Sequence, residues 1–182
     1  MIVLRQVVLR KFEPGDVDRL YRIRNDWEVT QSLTGFPTGF SRREMKEWVH
    51  TVGLAKERVI WAIAARKSNL CLGHAGLYQI DQRVGKADFG ILIGDRKWQG
   101  RGIGRSVTEA VLAYGFQQLH LHKIWLLVLE SNRRASHLYE SLGFVTDGIL
   151  RDDQFRNGAY VNTRVMSLLA SEWRARRQQG RG

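Results

Sequence analysis

The stretch Trp98-Gln99-Gly100-Arg101-Gly102-Ile103-Gly104-Arg105 carries the residues best placed to do chemistry. It follows the apolar run Phe89-Gly90-Ile91-Leu92-Ile93, which reads as a buried strand, and precedes a helix-period run from Ile103 to Leu119. A glycine-rich turn between a strand and a helix start exposes backbone N–H groups with no side chains in the way. The dipole of the following helix adds partial positive charge, so the turn is built to cradle a diphosphate. The dinucleotide fingerprint fails for want of a third glycine, because Arg105 and Ser106 follow Gly104. A P-loop fails too, since no Gly-Lys-Ser/Thr closes the turn. The same turn could also serve only as a helix entry.

Further along, Lys123 to Leu129 reads as a strand and the residues after it as a helix. Asn132 suits the helix N-terminus, and Gly143 suits the position just past its end, where positive φ is needed. Ala135, Leu138, Tyr139 and Leu142 share one face at helical spacing. Asn132 and Tyr139 lie two turns apart on one side, so both could face a ligand. The structural alternatives are a plain cap for Asn132 and a core aromatic for Tyr139.

These two segments resemble the GNAT superfamily of N-acetyltransferases. Gln99-Gly100-Arg101-Gly102-Ile103-Gly104 is similar to its Q-x-x-G-x-G pyrophosphate loop. Asn132, Ala135, Tyr139, Gly143 and Phe144 fall on its N-x-x-A-x-x-x-Y-x-x-x-G-F pattern. Ala87-Asp88-Phe89, Leu121-His122-Lys123 and Met166-Ser167-Leu168 look like the branch holding spermidine and ribosomal-protein-alanine N-acetyltransferases. The likeness is specific from Asp88 onward and holds only in outline before it.

The resemblance implies acetyl-CoA as co-substrate, with acetyl passing to a primary amine by direct attack on the thioester. It implies that Gln99, Gly100, Arg101, Gly102, Ile103, Gly104 and Arg105 hold the pyrophosphate. Backbone groups of Ile91, Leu92 and Ile93 would pair with the pantetheine arm, and Asn132 and Ser136 would assist from the helix. Tyr139 stands where the family keeps its proton donor. Asp88 is the candidate for receiving the amine proton, in a shorter version of the glutamate that related sequences often carry. A carboxylate inside an apolar strand otherwise calls for a solvent-facing edge or a salt bridge to Lys86 or Arg96. His74 is an alternative base, ranked lower because a lone strand histidine is more often structural. In this family the acceptor sits between the first helices and the sheet, which here brings in Glu28, Phe36, Phe40 and His74. A polyamine, a protein N-terminus or an amino sugar all remain open as acceptor. Few carboxylates and a net charge of +11 speak against a polycation.

Those residues must be positioned by a fold of class α/β (α+β): a mixed, mostly antiparallel sheet with helices on both faces, one domain over 1–170 and a frayed basic tail over 171–182. A first strand at Val7–Phe12, a helix through Val17 and Arg24, an irregular loop over Trp27–Gly39 and a Ser41–Glu44 capping box open the chain. Strands follow at Val59–Ala65, Cys71–Ile80 and Ala87–Ile93, and Asn157-Gly158 marks a late hairpin. With 182 residues, 43% of them hydrophobic, the chain can bury a core. The only cysteine, Cys71, reads as a buried small hydrophobe. With no signal-peptide pattern after Met1, the cytoplasm is the expected compartment. His120, His122 and His137 lack partners at metal-ligand spacing, so no metal is expected. Scattered rather than clustered arginines make nucleic acid an unexpected partner, and no apolar stretch approaches the length of a membrane span. A homodimer through the C-terminal strands is compatible with the pattern. The competing reading is a non-catalytic module that binds acetyl-CoA or RNA.

Overall fold

β-Branched and aromatic runs pair into one eight-stranded sheet in this computed structural model, which describes residues 1–35, 39–94 and 96–179. The strands are β1 (Ile2–Val3), β2 (Val7–Arg10), β3 (Val59–Ala65), β4 (Cys71–Asp81), β5 (Lys86–Ile93), β6 (Lys123–Leu129), β7 (Val145–Arg156) and β8 (Ala159–Leu169). Their order is β1-β2-β3-β4-β5-β6-β8-β7. Every neighbouring pair is antiparallel except β5 and β6, which run parallel. The helices are α1 (Val17–Asn25), α2 (Trp27–Thr30), α3 (Arg42–Thr51), α4 (Ile103–Gln117), α5 (Arg133–Leu142) and α6 (Ala170–Gln179).

Both faces of the sheet are covered, as strand alternation requires for β3, where six of the seven residues are buried. One face packs Trp61, Ile63, Leu77, Phe89 and Ile124 against Ile103, Val107, Val111 and Phe116 of α4 and Tyr139 and Leu142 of α5. The other packs Ala62 and Cys71 against Leu20 of α1 and Met45 of α3, while Ile23 and Val29 cover Leu92. The mixed sheet with helices on both faces is therefore what the pattern led us to expect. Burial pushes the Cys71 thiol up to about 11, so it stays protonated and inert.

Local signals set several boundaries. Ser41 Oγ accepts from Glu44 N at 3.2 Å while Glu44 Oε2 accepts from Ser41 N at 2.7 Å, which starts α3. Asn157 (φ 50°) and Gly158 (φ 81°) make the tight β7–β8 turn. Arg10 grips Asp16 through two buried bonds of 2.7 and 2.9 Å, which fixes α1 to β2.

Two expectations need correcting. Trp27–Gly39 is not all irregular: α2 spans Trp27–Thr30, capped where Asp26 Oδ1 accepts from Glu28 N at 2.9 Å. The tail does not fray through Gln179. It is α6, held where Trp173 packs on Phe116 (ring centroids 5.3 Å apart) and Arg176 donates to Ser141 O at 3.1 Å. No helix among the described residues is long and apolar enough to cross a membrane.

Candidate active site

The sheet opens at one place. β5 and β6 pair only through Lys86↔Lys123, Ala87↔Ile124 and Asp88↔Trp125. β5 stays paired with β4 as far as Ile93↔Gly73, whereas β6 is drawn off to pair along its whole length with β8. From Phe89 to Ile93 the β6-side edge of β5 therefore has no strand partner. That row of N–H and C=O groups can receive an extended chain carrying amides, as an added strand would.

The glycine loop stands at the end of this edge. Gly100 (φ 76°) and Gly102 (φ 77°) are left-handed, a conformation that costs a residue with a Cβ roughly 1–2 kcal/mol. Gly102 is the N-cap of the 15-residue α4 and supplies no capping side chain. Ser106 N–H bonds to Gly102 O at 3.1 Å, so the N–H groups of Ile103, Gly104 and Arg105 precede the helix's own acceptors. They are available to an anion in the field of the α4 dipole. The Ile103 side chain is buried, so only its backbone can contribute. Gln99 bridges the two walls: Nε2 donates to Ile93 O and Oε1 accepts from Arg134 Nη1, both at 3.3 Å. Arg133 and Arg134 are exposed at the start of α5, and Arg101 stacks on Trp98 at 5.4 Å. Arg105 departs from expectation. Its guanidinium is taken by Glu109, one turn along α4, and by Ser141, leaving only its N–H toward the loop.

On α5, Asn132 is the N-cap, its Oδ1 accepting from Ala135 N at 3.1 Å, and its Nδ2 donates to Ser32 O at 3.1 Å. Both ends of the amide are engaged by the protein, so the cap reading describes this side chain better than a ligand contact. Asn132→Ala is expected to lower stability by about 1 kcal/mol, and Asn132→Asp to retain most of it, as read by thermal melting. Ser136 is buried with an Oγ that has no hydrogen-bond partner, an orphan that a bound molecule can satisfy. Tyr139 is 7% exposed and packs edge-on to Phe89 at 6.2 Å. Burial, then the nearby Asp88 charge, pushes its hydroxyl up to about 12.

The opposite face of β5 carries the second half of the site. Asp88, Gly90 and Leu92 alternate away from Phe89, and Leu92 packs under α1 and α2. Asp88 is half-buried, is in no ion pair with Lys86, and is pushed up to about 6 by burial. Tyr78 lies opposite it in register, with its ring over Gly90, where a Cβ would sit 3.0 Å from Tyr78 Cε2. His74, four residues earlier on the same face, is buried between two partners: Arg24 Nη1 at 3.2 Å from Nε2 and the Tyr78 hydroxyl at 3.2 Å from Nδ1. Burial, with the Arg24 charge, pushes its imidazole down to about 3. His74 thus stays neutral and is a poor proton acceptor, a structural link rather than a base. Phe40 lies under the Arg24 guanidinium at 4.3 Å. Glu28 is exposed on α2, and Phe36 lies outside the described residues.

Sequence reasoning missed Arg24 and Tyr78. The period of two along β4 would have put Tyr78 beside His74, but nothing local reports that α1 lays Arg24 across both. An uncapped helix start, left-handed glycines, an unpaired strand edge and the Ser136 orphan together fit a long molecule with anionic and amide-bearing portions. Among the described residues, no group of three His, Cys, Asp or Glu could hold a metal ion.

Comparison with known proteins agrees with this geometry. The model of the acetyltransferase (GNAT) domain matches residues 6–145. An uncharacterized N-acetyltransferase, p20, of Bacillus licheniformis is 29% identical over 170 residues, covering 92% of this chain and 95% of that protein. The spermidine N(1)-acetyltransferase of Vibrio cholerae is 32% identical over 169 residues, covering 92% and 95%. A crystal structure of spermidine N-acetyltransferase from Vibrio cholerae in complex with CoA and spermine superposes with TM-score 0.84 at 29% identity, covering 93% of this chain and 99% of that one. The non-catalytic reading gives way: the chain belongs to the GNAT acetyltransferase family and is an N-acetyltransferase.

Proposed function

We propose that the protein transfers the acetyl group of acetyl-CoA to a primary amine by direct attack on the thioester. The observation that carries this reading is the gap beyond Asp88, with the α4 N-terminus at one end and two titratable groups, Asp88 and Tyr139, at the other. The pyrophosphate is held by the N–H groups of Gly102, Ile103 and Gly104, with Gln99, Gly100, Arg101, Arg133 and Arg134 around it. The pantetheine arm pairs with the backbone of Ile91 to Ile93, and Ser136 Oγ is satisfied by the bound molecule.

The amine nitrogen attacks the acetyl carbon and the carbonyl oxygen takes the charge, which a backbone N–H of the β5 edge stabilises. The amine then loses a proton to Asp88, directly or through water. With a pKa of about 6, this carboxylate is deprotonated at neutral pH yet closer in strength to an amine than an exposed aspartate. As the tetrahedral carbon collapses, the C–S bond breaks and the sulfur leaves with the electron pair. Tyr139 donates a hydrogen bond, and finally a proton, to that sulfur. A phenol at about 12 is less closely matched to a thiol than an ordinary phenol. Part of that rise comes from the Asp88 charge, so the proton Asp88 accepts removes the charge and makes Tyr139 the better acid. The products are the N-acetyl amine and free CoA.

The spermidine acetyltransferases similar to this chain bring polyamines into the acceptor class, beside protein N-termini and amino sugars. Exposed apolar side chains on the sheet-edge hairpin, Val145, Ile149, Leu150, Phe155 and Tyr160, support self-association through that edge. The test is an acetyl-transfer assay across these acceptor classes that follows free thiol. Amine-dependent CoA release is the expected result; its absence with every amine would refute the proposal.

A further inference from the structure

The face of the sheet beside Asp88 holds a guanidinium, Arg24, that no carboxylate among the described residues pairs with. Arg24 reaches it from the last turn of α1, half-buried, with its guanidinium against His74 Nε2 and stacked on Phe40 at 4.3 Å and near Trp48 at 5.5 Å. It forms no ion pair with any acid of the described residues, and burial holds its pKa below the usual arginine value. A guanidinium has only donors, so His74 Nε2 must accept from it and His74 Nδ1–H donates to the Tyr78 oxygen. The Tyr78 proton is thereby left for a partner outside the chain Arg24–His74–Tyr78. A second guanidinium, Arg58, stands within electrostatic reach of Tyr78, and its buried Nε has no hydrogen-bond partner.

Three acids at the starts of the first helices are engaged within the protein. Asp26 caps α2, Glu44 caps α3, and Asp16 is clasped by Arg10. Asp88 is the acid facing Tyr78, and the reaction uses it. A second ammonium of a polyamine entering here would meet the positive charge of Arg24. An anion would meet a half-buried, stacked guanidinium that has no ion-pair partner among the described residues, together with hydroxyl and guanidinium donors, where charge-assisted bonds are strong.

Resting on the acetyl transfer proposed above, we infer that the preferred acceptor is a primary amine whose own molecule carries an anionic group, a carboxylate or a phosphate, and that Arg24 binds that group. Tyr78 and Arg58 complete the anion pocket, and the anion draws the amine toward Asp88. This makes Arg24 the specificity-determining residue that separates the chain from an acetyltransferase for polycations.

The test compares matched acceptors in the acetyl-transfer assay: 4-aminobutyrate against its amide, phosphoethanolamine against ethanolamine, and spermidine. At least one anionic amine is expected to exceed its neutral counterpart and spermidine by tenfold or more in kcat/KM. Which pair shows the gap identifies carboxylate or phosphate. In Arg24→Gln the loss for the anionic acceptor is expected to be at least tenfold greater than for its neutral counterpart. Arg24→Lys, which keeps the charge without the planar fork, should recover part of it. Thermal melts of both variants check that they fold. If spermidine is the better acceptor, or both variants keep the full anion preference, this inference is overturned while acetyl transfer stands. If no amine releases CoA, the underlying activity fails as well.

Discussion

Tyr139→Phe is expected to lower kcat by roughly 10²–10³-fold, the usual worth of a positioned proton donor, while the affinity for acetyl-CoA stays near the wild-type value. The ring is the part that packs: it meets Phe89 at 6.2 Å and Phe144 at 5.7 Å, and phenylalanine preserves both contacts. The hydroxyl has no hydrogen-bond partner within the described protein, so its removal leaves no buried group stranded. A large loss of rate without loss of stability would therefore report the leaving thiolate. Poor leaving groups should suffer most, so a thioester with a more acidic thiol is expected to narrow the gap between variant and wild type. Equal kcat in both proteins would remove Tyr139 from the chemistry.

Asp88→Asn is expected to cost roughly 10²–10⁴-fold in kcat/KM at neutral pH and to erase the acidic limb of the pH profile. The carboxyl is raised to about 6 by burial, and the active form is the carboxylate. Activity in the wild type should fall as pH drops through about 6 and be level, with respect to this group, above it. His74 cannot supply that limb, because its imidazole is held neutral down to about 3. The assignment is therefore decided by whether the limb survives in Asp88→Asn. A limb that persists at the same pH in the variant belongs to another group. The same substitution should lower the Tyr139 pKa, since the Asp88 charge is one of the two causes of its rise.

Features encoded within a few residues were legible in the chain. The Ser41–Glu44 box, the Asn157-Gly158 turn and the left-handed glycines before α4 each rest on local backbone chemistry, and each is found where the residues put it. Asp88 and Tyr139 were singled out through pattern and resemblance, and the fold brings them within electrostatic reach of each other. The Arg24–His74–Tyr78 cluster was not legible, because it depends on strand pairing and on how α1 docks. Helix α2 has only four residues, too short for periodicity to show. Helix α6 reads as a solvated basic tail because its hold on the body comes from Trp173 and Arg176, whose partners Phe116 and Ser141 are distant in sequence. Arg105 was drawn toward phosphate by its place in the loop, although Glu109 four residues on was the nearer competitor.

On this reading, main-chain amides of the loop before α4 grip the diphosphate of acetyl-CoA. Calorimetric titration of acetyl-CoA into the wild-type protein and Gly102→Ala decides it. A Cβ at position 102 meets no atom within 4 Å, so the variant should fold. Its cost is the left-handed backbone, about 1–2 kcal/mol. That cost distorts the anion cradle and should weaken binding by roughly tenfold. Saturable binding by the wild type with a weaker variant is the predicted result. No binding by the wild type, or equal affinity in both proteins, would show that these amides do not hold the diphosphate.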